Sequence, residues 1–302
     1  MITGFVNVDK PAGMTSHDVV DSVRRVAGQR QVGHTGTLDP FATGVLVLAL
    51  GKATRLASFL TGADKAYQGQ ITLGRATTTD DVEGETTAEG PVDHLDPEGV
   101  GAAMHRFLGT IQQMPPPFSA KKVAGKKLYQ YARAGEQVQV EPKTVTVHQF
   151  VLDRWEPPIL HFRAVVSTGT YVRSLAHDLG LLLGCGGHLS QLARIQVGRF
   201  RLEEATPLAS LENDPGLLRE KLSSIPDSLP DIPTVTVSEE AKRRLLNGSP
   251  AAVEERGVGL AAAAAERLLA LDEAGHVLAL VEKVPASVGT LRFQPKILLT
   301  GV

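Results

Sequence analysis

Six consecutive apolar residues, Val45-Leu46-Val47-Leu48-Ala49-Leu50, stand between Gly44 and Gly51. A run this short and bounded by glycines reads as a buried core strand. The twelve residues leading into it, Gly33-His34-Thr35-Gly36-Thr37-Leu38-Asp39-Pro40-Phe41-Ala42-Thr43-Gly44, read as a loop. Pro40 offers no N–H and biases Asp39 toward extended backbone, while the glycines permit tight turns and close approach of a ligand. Asp39 is therefore placed on a stiff loop that feeds a core strand, where binding and catalytic groups are common. The plain alternative is a turn aspartate bonded to its own backbone.

The 302 residues allow one large domain or two, and 42% hydrophobic with 21% charged residues is an ordinary globular composition. No apolar stretch approaches the length of a membrane span, and Met1-Ile2-Thr3-Gly4-Phe5-Val6 lacks the layout of a signal peptide, so a soluble, cytoplasmic protein is expected. Cys185 is the single cysteine, which rules out an intrachain disulfide and Cys-rich zinc sites. With a formal net charge of −2, any nucleic-acid site must be a local patch.

Phe5 to Val8 reads as a strand and Asp9 to Gly13 as the turn after it. Ser16 is the expected N-cap of a helix carrying Val19, Val20, Val23, Val26 and Ala27 and stopping at Gly28. A helix is expected through Arg55, Leu56, Phe59 and Leu60, and a strand over Tyr67 to Leu73. Thr78 to Glu98 is acidic and reads as a solvated loop region. A helix over Glu98 to Leu108 is broken by Met114-Pro115-Pro116-Pro117-Phe118. Thr144 to Leu152 and Ile159 to Ser167 read as paired strands, and Gly169-Thr170-Tyr171-Val172-Arg173 leads into a helix reaching Leu183. Ser224 to Pro233 is the best linker candidate. Beyond it come a helix near Glu239 to Leu246, an Ala run at Ala261 to Ala265, and a hairpin over Arg267 to Glu282 turning at Glu273-Ala274-Gly275.

His34 and His177-Asp178 have no further ligands at metal-binding spacing, so no metal is expected. Gly51-Lys52-Ala53-Thr54 lacks the spacing and hydroxyl of a phosphate-binding loop, and Gly184-Cys185-Gly186-Gly187 lacks the preceding strand of a dinucleotide fingerprint. No cofactor is expected. Ser16 and Ser190 lie in no nucleophile-elbow pattern. What remains is a carboxylate working alone or with a cation, and Arg173 is a candidate partner for Asp39. Lys121, Lys122, Lys126, Lys127 and Arg133, with Tyr129 and Tyr131 interleaved and Gly125 as a hinge, read either as a solvated helix face or as an adaptable nucleic-acid clamp.

Taken in order, Asp9-Lys10-Pro11-Ala12-Gly13-Met14-Thr15-Ser16, the Gly33–Gly44 segment, Asp64-Lys65-Ala66-Tyr67 and Gly169-Thr170-Tyr171-Val172-Arg173 closely resemble the bacterial tRNA pseudouridine-55 synthases of the TruB type. The resemblance covers nearly the whole chain. It implies an α+β pseudouridine-synthase domain over residues 1–231, built on a central, largely antiparallel sheet with a thumb-like RNA-binding insertion at about 115–143. A small β-rich, PUA-like domain is implied over 232–302. By the same resemblance Asp39 is the essential aspartate of uridine isomerisation, either attacking C1′ or removing a sugar proton. Arg173 is its paired arginine, and Tyr67 stacks on the target uracil and is suited to help remove the C5 proton. His34 fills the space left by the flipped base, Leu192 lines the uracil pocket, and Lys10 and Tyr171 fall in substrate-binding blocks. Lys121 to Arg133 falls where the thumb closes on the T-stem-loop of tRNA. Ala193 departs from the pattern, since many relatives have Arg there, so one phosphate contact is missing or moved. No membrane, no obligatory protein partner and a monomer are implied. Two alternatives stand beside this reading: a guide-RNA-dependent synthase subunit, and an RNA-folding chaperone in which catalysis is incidental.

Overall fold

The computed structural model describes residues 2–119, 121–136, 138–254, 262, 264–286 and 290–299. The apolar run lies in the strand Thr43–Leu50, paired antiparallel with Gly4–Lys10 and, at its first residues, parallel with Gly187–Val197. Side chains of a strand alternate between faces, and here both faces are core. Leu46, Leu48 and Leu50 pack with Val19, Val20 and Val23 of the helix Ser16–Ala27. Val45, Val47 and Ala49 pack into a second core that includes Leu269, Leu280 and Leu299. A run without a polar position is what a strand covered on both sides requires.

The large sheet runs in the order Thr206–Pro207, Gly4–Lys10, Thr43–Leu50, Gly187–Val197, Lys65–Leu73, Ile159–Val166, Lys143–Glu156, Gly109–Gln113. Along this order all neighbours are antiparallel except the first pair and the Thr43–Leu50/Gly187–Val197 pair, so the mixed α and β class with a largely antiparallel sheet is borne out. A five-stranded sheet near the C-terminus runs Thr234–Thr236, Arg267–Leu271, Val277–Val284, Thr290–Leu298, Ala251–Glu254. Its hairpin turns where expected, with Asp272 Oδ1 accepting from the Ala274 and His276 N–H groups. The expected Ala run at 261–265 lies partly outside the described residues.

Several expectations need correction. Thr15, not Ser16, caps the first helix, in a reciprocal capping box with Asp18, and Gly28 closes it at φ 60°. Ser16 turns inward instead, its Oγ donating to Leu38 O at 3.1 Å and accepting from Leu38 N at 2.8 Å. The acidic stretch is not uniformly solvated: Asp80 and Asp81 are buried, because their charges meet His177 and Arg173 from a helix about ninety residues away. Gly125 is no hinge. Ala124 at φ 49° and Gly125 at φ 84° form the two-residue turn between Lys122–Val123 and Lys126–Lys127, the left-handed pair that a tight hairpin favours. The linker candidate is also structured, with Ser224 capping Ile225–Ser228 and burying Ile225 and Leu229 in the second core.

Candidate active site

Asp39 is held by its neighbours before any ligand arrives. On one side Ser16 grips Leu38, and Lys10 donates from Nζ to Pro11 O at 2.8 Å, Met14 O at 2.6 Å and Pro40 O at 3.1 Å. On the other side the buried Arg194 donates to Val45 O at 2.7 Å, Gly36 O at 3.0 Å and Thr37 O at 3.3 Å. Gly44 closes the loop at φ 97°, where a Cβ would come within 2.3 Å of Arg194 O. The Asp39-Pro40 loop is thus clamped from both flanks, and its carboxylate is left 33% exposed.

Arg173 stands in the first turn of the helix Val172–Leu182 and meets that carboxylate with a fork. Nε lies 3.0 Å from Oδ2 and Nη2 lies 3.1 Å from Oδ1. Such bidentate pairing fixes direction as well as charge. Arg173 is itself oriented from behind: Nη1 donates to Thr79 O at 2.9 Å and lies 3.3 Å from Asp81 Oδ2, and Nη2 donates to Phe118 O at 2.9 Å. Asp81 is in turn held by Thr79 Oγ1 and the Glu83 N–H. Burial pushes the Asp39 carboxyl above the usual range, the Arg173 guanidinium pulls it back, and Asp81 adds to the upward push.

Tyr67 is buried in the strand Lys65–Leu73, paired with Arg194 on one side and Ala164 on the other. Arg194 also pairs with Gly44, so the loop's end, the arginine and the tyrosine form one lateral row. Leu192, two residues before Arg194, lines an open groove of about 600 Å³ with Phe41 and Thr43 of the loop, and Ala193 lies on the same groove. Asp39, Arg173, Leu192 and the loop therefore converge at one end of the sheet. Tyr171 is half-buried, its backbone clamped by the Gln113 amide, which accepts from Tyr171 N at 2.8 Å and donates to its carbonyl at 3.0 Å. His34 is half-buried at the end of the short strand Val32–His34, its Nδ1 without a hydrogen-bond partner. Burial first, then Arg194, holds its pKa below the ordinary value, which favours a neutral ring.

Lys10 lies differently from the expectation. It is fully buried and its ammonium faces three carbonyls, so it supports the loop and has no surface to offer a substrate. Burial lowers its pKa to about 8. The basic segment sits apart as a small hairpin with the helix Leu128–Arg133. Its cations lie on its own tyrosines: Lys126 is 4.4 Å from the Tyr131 ring centre, and Lys127 and Arg133 are each 5.5 Å from that of Tyr129. Lys126 also pairs with Glu136 at 2.8 Å, Lys121 donates to Glu141 O, and Lys122 is exposed. Sequence reasoning missed Asp81, Arg194 and Gln113. Only a buried-charge pattern in strands or loops could have signalled them, and their partners are distant in sequence.

No group of three or more His, Cys, Asp or Glu side chains arranged to hold a metal ion occurs among the described residues, and no described helix is long and apolar enough to cross a membrane. What the clamped loop offers is one oriented, partly exposed carboxylate, two residues before Phe41, which lines a groove of mixed polar and apolar walls. That arrangement suits attack on, or proton removal from, a sugar presented at the groove.

The model of the TruB family pseudouridylate synthase N-terminal domain matches residues 24–172, and that of the tRNA pseudouridylate synthase B C-terminal domain matches residues 173–228. Among curated relatives, the tRNA pseudouridine synthase B of Symbiobacterium thermophilum is 47% identical over 255 residues, covering 83% of this chain and 84% of that protein. That of Geobacter sulfurreducens is 40% identical over 285 residues, covering 93% of each. Among solved structures, a chain of a Cbf5-Nop10-Gar1 complex superposes with a TM-score of 0.72 at 25% identity, covering 98% of this chain and 85% of that one. A chain of an H/ACA ribonucleoprotein bound to a substrate RNA containing 2′-deoxyuridine gives a TM-score of 0.72 at 23% identity, covering 99% and 85%, and shares the fold. Fold and site define a pseudouridine synthase. The chain belongs to the TruB family of these isomerases.

Proposed function

We propose that this chain isomerises uridine at position 55 in the T-loop of tRNA to pseudouridine, as a stand-alone cytoplasmic monomer without guide RNA or cofactor. The observation that carries the reading is the Asp39 carboxylate forked by Arg173 on the loop whose Phe41 and Thr43 line the groove. In the reaction the C1′–N1 bond breaks, the base turns, a C1′–C5 bond forms, and the C5 proton is lost while N1 gains one. No electrons leave or enter. Asp39 either attacks C1′ or removes a sugar proton, and both routes need the carboxylate ionised and aimed. Arg173 keeps it so. Tyr67 stacks on the uracil and assists loss of the C5 proton, and Leu192 walls the base.

The target base must leave its stack, which demands a few kcal/mol of compensation. A neutral His34 ring fits the vacated space better than a charged one would. Lys126, Lys127 and Arg133 exchange their tyrosine and acid contacts for phosphates, joined by Lys121 and Lys122, as residues 115–143 close on the T-stem, and the PUA-like unit over 232–302 adds RNA contacts. Relatives named tRNA pseudouridine synthase B favour tRNA as the substrate.

A bare T-arm hairpin, incubated with purified protein and no other component, tests this. Conversion of its T-loop uridine is expected. A strict requirement for guide RNA or partner proteins would favour the guide-dependent reading. For the chaperone reading, Asp39→Asn is decisive: it should abolish isomerisation while leaving tRNA affinity nearly intact, and a large loss of affinity would refute that division of labour.

A further inference from the structure

One helical turn beyond Arg173, His177 faces the same loop that holds Arg173 from behind. Its Nδ1 lies 2.9 Å from Asp80 Oδ1, with side-chain exposures of 34% and 11%. Nδ1 has no other hydrogen-bond partner among the described residues, and the Asp80 carboxylate so close to it acts first as an acceptor and then through its charge. Asp80 is the residue before Asp81 and sits at φ 60°, a left-handed conformation that a non-glycine residue adopts reluctantly. The loop is pinned at its far side by Leu189 N donating to Asp80 O at 3.0 Å, and by Thr77 Oγ1 donating to Asp81 O at 2.7 Å.

Consecutive residues of one short loop thus hold consecutive turns of one helix: Asp81 meets Arg173 and Asp80 meets His177. We infer that His177 is a positioning residue for isomerisation, its cationic ring locking Asp80 so that Asp81 stays behind Arg173 and the Arg173 fork stays on Asp39. The inference rests on the catalytic reading above. It adds a pH-dependent link to that assembly. The charged groups around the ring are Asp80 on the loop and, on its own helix, Asp178. Both carboxylates favour the cation, and Asp80 raises the His177 pKa above its ordinary value against burial, so the lock is closed below that pKa and opens as pH rises through it.

The test is the single-turnover rate of pseudouridine formation on unmodified tRNA across pH 6 to 9, with tRNA affinity measured alongside. His177→Gln should lower the rate roughly tenfold at the pH where wild type is fastest, without changing affinity, and should flatten the rate decline expected of wild type on the alkaline side. His177→Arg, a permanent cation, should retain the rate and carry it to higher pH. Asp80→Gly accepts the left-handed backbone yet lacks the carboxylate, and should behave like His177→Gln. Wild-type rates and pH profiles in both His177→Gln and Asp80→Gly, or failure of His177→Arg to outperform His177→Gln, would overturn the inference. No product from wild type would instead overturn the catalytic reading.

Discussion

At the scale of single residues, the site is a set of charges taken out of water in pairs. Asp39 and Arg173 were both visible in the sequence, the first from its Gly- and Pro-rich loop and the second from the block that opens a helix. Their contact was not visible, because nothing local marks two positions 134 residues apart as partners. Asp81 was hidden more deeply: in a stretch of acids it reads as solvent-facing, and the Arg173 guanidinium, with the Thr79 hydroxyl and the Glu83 N–H, makes its burial tolerable. Because burial and Asp81 raise the Asp39 pKa, and the ionised form is the active one, the rate should fall as pH falls, at a higher pH than an ordinary aspartate would give. Arg173→Lys keeps the charge but loses the fork. It should cut the rate by about tenfold or more and move that acid limb upward, as single-turnover pH profiles would show. Lys65 tests the same physics through stability. Burial lowers its pKa from 10.5 to about 8, so between those values the unfolded chain binds more protons and stability rises with pH. Denaturant titrations at pH 7.5 and 10 should show that rise reduced in Lys65→Met.

At the scale of elements, periodicity located most strands and helices, while the devices joining them escaped it. The helix Ser16–Ala27 was legible from its valines, and the hairpin Arg267–Leu271 with Val277–Val284 from its turn. The choice between Thr15 and Ser16 as cap was not, since either side chain can cap and only the tertiary partner of Ser16 decides. Ser16→Ala leaves the Leu38 N–H and carbonyl unpaired in a buried place. It should cost about 1–3 kcal/mol in chemical denaturation and slow isomerisation through a looser Asp39 loop. The basic hairpin makes a separate prediction. Changing Lys121, Lys122, Lys126 and Lys127 together to Ala should weaken tRNA binding and flatten its salt dependence, measured as the slope of log affinity against log salt. An unchanged slope would mean that these lysines only dress a solvated face.

At the scale of the whole molecule, the strand Thr43–Leu50 serves two cores at once. Its glycine-bounded apolar run announced burial, but what lies on one of its two faces depends on chain more than two hundred residues later. Leu269, Leu280 and Leu299 cover the side of the strand opposite the helix Ser16–Ala27, so the two sheets share a core. Leu280→Ala should therefore destabilise the protein by about 2–5 kcal/mol in a single transition reported alike by probes in either sheet. Two separate transitions would mean that the C-terminal sheet is only loosely attached. The same shared core sets a stiff floor under the Asp39 loop, which leaves the loop at the strand's first residues.

The most direct measurement is carbodiimide-based primer-extension mapping of pseudouridine on unmodified tRNA incubated with purified wild-type protein and with Asp39→Asn. The account predicts a stop at the T-loop uridine with wild type and none with Asp39→Asn, although both bind the tRNA. A stop with both proteins, or with neither despite tight binding, would contradict it.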